Sequence, residues 1–114
     1  MMPESLLICN EQEKRRIIIS DILYISTNDY LSTFNLKNNK KFTCSKPLSE
    51  ISEILPDWFF QISRSCTINL NEIISVKRCS RKIILGNSTE LIVSMRRMKA
   101  LNNTLASQNV ALAR

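Results

Sequence analysis

Eight cationic side chains, Arg64, Lys77, Arg78, Arg81, Lys82, Arg96, Arg97 and Lys99, fall between residues 58 and 99, where the only acids are Glu72 and Glu90. Arg carries a planar donor fork that engages two acceptors at once, on a phosphate or on O6 and N7 of guanine, whereas Lys is a point charge. The chemistry on offer is anion recognition. Residues 1–57 hold seven Lys/Arg against eight Asp/Glu, so nearly all of the formal charge of +6 belongs to the second half. Charge alone fits nucleic acid, an acidic protein or a small anionic ligand equally well, and solvated faces produce similar clusters.

Catalytic chemistry has few tools here. The chain has no His, which removes the ordinary Ser-His and Cys-His nucleophile systems and leaves only scattered carboxylates for proton transfer. Its single glycine, Gly86, excludes both a GxGxxG fingerprint and a GxxxxGK[ST] phosphate loop. Neither an enzyme nor a cofactor is expected. Cys9, Cys44, Cys66 and Cys79 are widely spaced, form no CxxC pair, and sit in or beside apolar runs where a free thiol acts as a small hydrophobe. No metal site is expected.

At 114 residues, 44% hydrophobic and 23% charged, the chain has the size and composition of one globular domain. No apolar run approaches the ~18 residues of a membrane span, and the start, MMPESLLICNEQEKRR, is too polar for a signal peptide. These features predict a cytoplasmic protein without membrane contact.

The elements that position the cations are mostly extended. SLLIC (5–9) and RIIIS (16–20) read as strands around the polar turn NEQEK, and ILYIS (22–26) follows after a break at Asp21. YLSTFNL and KKFTC are strands joined through Lys37-Asn38-Asn39. SKPLSEISEIL predicts a helix capped by Ser45, with Pro47 in its first turn, Leu48, Ile51 and Leu55 on one side, and Pro56 ending it. DWFFQI, IISVK (73–77) and the hairpin RKIIL-GNST-ELIVS, turning at Gly86-Asn87, resume the β pattern. SMRRMKALNNTLAS predicts a final helix with Ser94 as N-cap and Met95, Met98, Leu101 and Leu105 toward the core. Arg96, Arg97 and Lys99 near its start oppose the helix dipole, which points to an anionic ligand or to nearby acids.

In FFQISRSCTINLNEI (59–73), Arg64 shares the period-two face of Phe60, Ile62, Cys66, Ile68 and Leu70. A charge is rarely buried without a partner, so the chain is expected to turn at Ser63-Arg64-Ser65 and present Arg64 outward. An ion pair with Glu72 or Glu90 is the alternative.

The order of these elements, with F-F-Q-I-S-R-S-C-T-I-N-L-N-E-I-I-S-V at 59–76, a hairpin at 81–93 and V-S-M-R-R-M-K-A-L at 93–101, resembles the LytTR-type DNA-binding domain of bacterial response regulators. DILYIS and the turn before Tyr30 fit the first half of that pattern, and the likeness spans roughly residues 15–105. Two departures stand out. The family often has a His near the Arg-Ser pair, where this chain has Ile62 and Ser63, and Ser-Met-Arg replaces the common Ser-Arg-Arg.

The resemblance implies a mostly β fold of short, bent antiparallel sheets with two short helices, one of them C-terminal. It divides the chain into an N-terminal strand and turn or linker (1–14), the domain proper (15–107) and a tail (108–114). It also implies sequence-specific binding of double-stranded DNA by loops that enter the major groove, on repeated half-sites occupied by a second copy, in transcriptional control. It carries Arg64 onto one contact loop and Ser94–Arg97 onto another, with Asn28 and Tyr30 as a third candidate. Arg64, Arg96, Arg97, Asn28 and Tyr30 are thus candidates for base contacts, and Ser65, Ser94, Lys77, Arg78, Arg81, Lys82 and Lys99 for phosphates. An upstream receiver domain, common in the family, has no room within 114 residues. The rival readings are a non-catalytic module that binds an acidic protein or small anion, and a single-strand binder. The second is disfavoured because the aromatics Tyr24 to Phe60 precede the basic block instead of interleaving with it.

Overall fold

A computed structural model describes residues 4–107. Strands β1 (Ser5–Cys9) and β2 (Lys14–Ile18) form a two-stranded antiparallel sheet. Strands β3 (Ile22–Asn28), β4 (Leu31–Leu36), β5 (Lys41–Cys44), β6 (Phe59–Ser63) and β7 (Cys66–Asn69) make a five-stranded sheet in the order β5-β4-β3-β7-β6. Strands β8 (Ile73–Lys77), β9 (Lys82–Leu85) and β10 (Glu90–Ile92) make a third, ordered β10-β9-β8. Helix α1 (Leu48–Ile54) links β5 to β6, and α2 (Met95–Ser107) follows β10. This is the mostly β architecture with two helices that the sequence implies; the expected tail, 108–114, lies outside the described residues.

Two short 3-10 turns carry the chain from sheet to sheet. Ile19–Asp21 joins β2 to β3, and Leu70–Glu72 joins β7 to β8. Each buries its first residue, Ile19 or Leu70, and each closes with the next strand's first amide donating to that residue's carbonyl. The run RIIIS is therefore not one strand: β2 begins at Lys14 and stops at Ile18, and Ile19, whose amide still reaches the Glu4 carbonyl in the β1–β2 register, opens the 3-10 turn that the Ile22 amide closes.

The five-stranded sheet separates two cores by simple alternation. Ile25, Phe34 and Phe42 stand side by side on one face, against Ile51 and Leu48 of α1 and Ile17 of β2. Ile68 and Phe60 stand on the other, with Ile83, Leu85, Val93 and Leu101 of α2. A bulge in β6 between Gln61 and Ser63 keeps Ile62 buried in this second core and returns the chain at Ser63, opposite Cys66.

Three expectations are corrected. Ser45 does not cap α1: Pro47 holds the N-cap in extended conformation with no side-chain cap bond, since the residue before a proline avoids helix and the Lys46 carbonyl is already bonded to the Ser32 hydroxyl. Met95 is not a core residue but 76% exposed, although Met98, Leu101 and Leu105 do pack inward. The β9–β10 hairpin turns at Gly86-Asn87 as expected, with Ser88 left-handed at φ 69° and the Gly86 amide donating to the Glu72 carbonyl. Cys9 and Cys79 are exposed, so only Cys44 and Cys66 act as small hydrophobes.

Burial pushes the Cys66 thiol up to about 12, which keeps it protonated and unreactive. Iodoacetamide at pH 8 should therefore label Cys9 and Cys79 and spare Cys44 and Cys66 until the protein unfolds, a pattern read directly by mass spectrometry of the intact chain.

Among the buried polar side chains, Ser32, Asn35 and Asn69 bond main-chain carbonyls, but the hydroxyl of Thr67, at 3% exposure, has no partner among the described residues. Thr67→Val keeps the shape, removes an unpaired donor and suits a central strand. Urea denaturation should show no loss of stability and a gain of up to ~1 kcal/mol; a clear loss would mean that the hydroxyl has a partner in solution.

Candidate nucleic-acid interface

Main-chain bonds bring three chain segments to one end of the five-stranded sheet. Strand β3 pairs with β7 at Tyr24–Ile68, Ile25–Thr67 and Ser26–Cys66, and the Thr27 amide then donates to the Ser65 carbonyl at 2.8 Å. This register brings Asn28 level with Arg64. The β3–β4 tip is the two-residue turn Asp29-Tyr30, with Asp29 left-handed at φ 57°. On the other side of β6, the Ser94 amide donates to the Ile62 carbonyl at 2.9 Å, which sets the start of α2 against the β6–β7 hairpin.

The chain turns where the sequence requires. Ser63 pairs with Cys66, and Arg64 and Ser65 form the exposed tip between them. Neither acid offered as a partner reaches Arg64: Glu72 pairs with Lys37 at 3.5 Å and Glu90 with Lys82 at 3.6 Å. The Gln61 side chain instead donates to the Arg64 carbonyl at 3.4 Å, bracing the turn from below.

Arg96 and Arg97 have different duties. The Arg97 guanidinium lies over the Phe60 ring at 4.8 Å and its Nε donates to the Gln61 carbonyl at 2.9 Å, so this side chain is fixed along β6. Arg96 is exposed and free of ion pairs among the described residues, and no acid occupies the first turn of α2. The cation that opposes the helix dipole is thus uncompensated among the described residues. Ser94 directly precedes α2 and its carbonyl accepts the Arg97 amide. Together Gln61, Ser63, Arg64, Ser94, Arg96 and Arg97 line an open groove of about 640 Å³, with no carboxylate among the described residues that line it.

The other candidates surround this groove unevenly. Arg81, in left-handed conformation at φ 55°, donates from Nη1 to the Val93 carbonyl at 2.9 Å, while its own carbonyl accepts the Val93 amide. Its guanidinium holds the β8–β9 turn against the approach to α2 and is not free. Lys82 is engaged with Glu90, whereas Lys77, Arg78 and Lys99 are exposed without ion pairs among the described residues. Ser65 is exposed, and so is Asn28. Tyr30, 88% exposed at its turn, packs against nothing and is available to a partner.

Gln61 and Phe60 were not singled out in the sequence as site residues. The signal that could have found Gln61 is its place as the polar outward residue between buried Phe60 and Ile62, one strand residue pair from Arg64.

With this geometry in place, comparison with known proteins is decisive for the family. The model of the LytTr DNA-binding domain matches residues 12–106. The chain belongs to the LytTr family. The LytTr DNA-binding domain of a Bacillus cereus protein described as a methyl-accepting/DNA response regulator has a similar solved structure, with a TM-score of 0.79 at 20% identity over 90% of this chain and 97% of that one. At that identity the likeness speaks for the fold. No curated protein sequence matches. LytTr domains are a family of DNA-binding domains. Among the described residues, no helix is long and apolar enough to cross a membrane.

Proposed function

We propose that this LytTr domain binds double-stranded DNA sequence-specifically, with the β6–β7 tip and the start of α2 entering the major groove, as the effector part of a bacterial transcriptional regulator. Arg64 and Arg96 read base edges, since both are exposed and free of ion pairs among the described residues. Arg97 stiffens β6 and lends charge from a fixed position. Asn28 and Tyr30, on the neighbouring tip, contribute further contacts, and Ser65, Ser94, Lys77, Arg78 and Lys99 hold phosphates. The observation that carries this reading is the groove between two arginine-bearing segments with no carboxylate in its lining. Two copies on repeated half-sites and a receiver domain upstream are part of the same proposal.

Selection from a pool of random duplexes tests it. Enrichment of a repeated motif is the expected result, and no enrichment even at low salt would favour an acidic protein or small anion as the partner. The affinity for the enriched duplex should fall with salt, with a log-log slope of roughly −3 or steeper per copy, from at least three cations on phosphates at ~0.9 each. A slope near zero in filter-binding or anisotropy titrations would be incompatible with the proposed contacts of Lys77, Arg78 and Lys99.

A further inference from the structure

We propose that Gln61 reads an adenine, accepting from its N6 amino group and donating to its N7, beside the base pair that Arg64 contacts. The assignment rests on the function proposed above and names a base that the arginines cannot select. Gln61 is exposed on β6 between buried Phe60 and Ile62, and it lines the groove that holds Arg64, Arg96 and Arg97.

The donor and acceptor inventory of the groove sets the base class. Its three guanidinium groups only donate, which suits the acceptors O6 and N7 of guanine. An exocyclic amine, N6 of adenine or N4 of cytosine, needs an acceptor instead. No carboxylate is among the described lining residues, the Ser63 hydroxyl oxygen already accepts the Ser65 amide at 3.3 Å, and Ser94 offers a single hydroxyl. Gln61 is the one described lining residue with a side-chain carbonyl, so it alone can accept and donate in parallel along a base edge. That pair of bonds matches adenine, whereas cytosine presents only N4 in the major groove.

The amide is already oriented. Its Nε2 donates to the Arg64 carbonyl at 3.4 Å, which fixes the end that carries nitrogen, because an oxygen turned that way would face another acceptor. One Nε2 hydrogen is used there, and Oε1 and the second hydrogen remain for a partner. The main chain is held as well, since the Arg97 Nε donates to the Gln61 carbonyl at 2.9 Å while its guanidinium lies over Phe60. A side chain ordered in advance loses less rotamer freedom on binding. Because the same amide touches the Arg64 turn, the adenine lies next to the pair that Arg64 reads.

The probe is the duplex that the native chain enriches from the random pool, titrated in competition with each of its single-base variants. Gln61→Ala and Gln61→Met should bind it roughly 5- to 150-fold more weakly and lose preference at one A·T pair that Arg64→Ala leaves selective. Met keeps the length of Gln without its amide, and thermal melts check that both variants fold. At that pair, replacing adenine by purine, which lacks the amino group, or by 7-deazaadenine, which lacks N7, should weaken the native chain several-fold and leave Gln61→Ala unaffected. Equal loss on every sequence would make Gln61 a phosphate contact and overturn the proposal. Relaxation confined to the pair that Arg64 reads would reduce Gln61 to a positioning residue and overturn it too, as would a native chain indifferent to both analogues. A loss in Gln61→Ala that Gln61→Met does not share would assign the effect to packing and reject the adenine contact. Absence of any enriched duplex would strike the proposed function itself, which the other outcomes leave standing.

Discussion

Arg64→Ala should weaken binding to the preferred duplex by roughly 5- to 150-fold, the equivalent of the ~1–3 kcal/mol that one bidentate base contact discriminates. The loss should be concentrated at one base pair of each half-site, so that the variant accepts other bases there instead of failing uniformly. Three observations lead to this result. Arg64 is exposed at a tight hairpin tip, it is free of ion pairs among the described residues, and its main chain is braced by Gln61. The fold should be indifferent to the change, because an exposed turn residue without partners is worth less than ~0.5 kcal/mol. Competition titrations with every single-base variant of the site would reveal the relaxed position. An equal loss on all sequences would instead make Arg64 a phosphate contact.

Leu101→Ala addresses the other support of the interface. Leu101 is completely buried and is the one fully buried side chain of α2, set among Val93, Ile62 and Ile83 in the second core. Truncation of such a leucine costs about 2–5 kcal/mol, a large share of the ~5–15 kcal/mol that holds a domain of this size. Urea unfolding should show the loss as an earlier midpoint. Because α2 carries Arg96 at its start, DNA affinity should fall at temperatures where the variant is still mostly folded. Met95→Ala is the control: at 76% exposure it should change stability by less than ~0.5 kcal/mol. If Leu101→Ala cost under ~1 kcal/mol, α2 would not be anchored where the second core places it.

Much of this was readable without coordinates, for identifiable reasons. Period-two runs marked the strands, and the clash of Arg64 with its own apolar register marked the hairpin, because burying a lone charge is costly. The helices were legible from Leu48, Ile51 and Leu101, but Met95 was misjudged: helical spacing defines a stripe wider than the surface that the sheet can cover. Ser45 was misjudged because Pro47 imposes its own extended backbone on the helix start. The division of labour between Arg96 and Arg97 was not legible at all. It depends on which of two adjacent side chains lies over Phe60, and only the placement of α2 against β6 decides that. The role of Arg81 was hidden likewise, since its partner is a main-chain carbonyl twelve residues on.

The bonds that align the Asn28, Arg64 and Ser94 segments, Thr27 amide to Ser65 carbonyl and Ser94 amide to Ile62 carbonyl, involve no side chain. No substitution except proline at Thr27 or Ser94 can delete them, while the residues at the tips are exposed and cost the core nothing when changed. A lineage could therefore rewrite its operator one tip residue at a time, as type is swapped in a printer's forme, without passing through an unfolded ancestor.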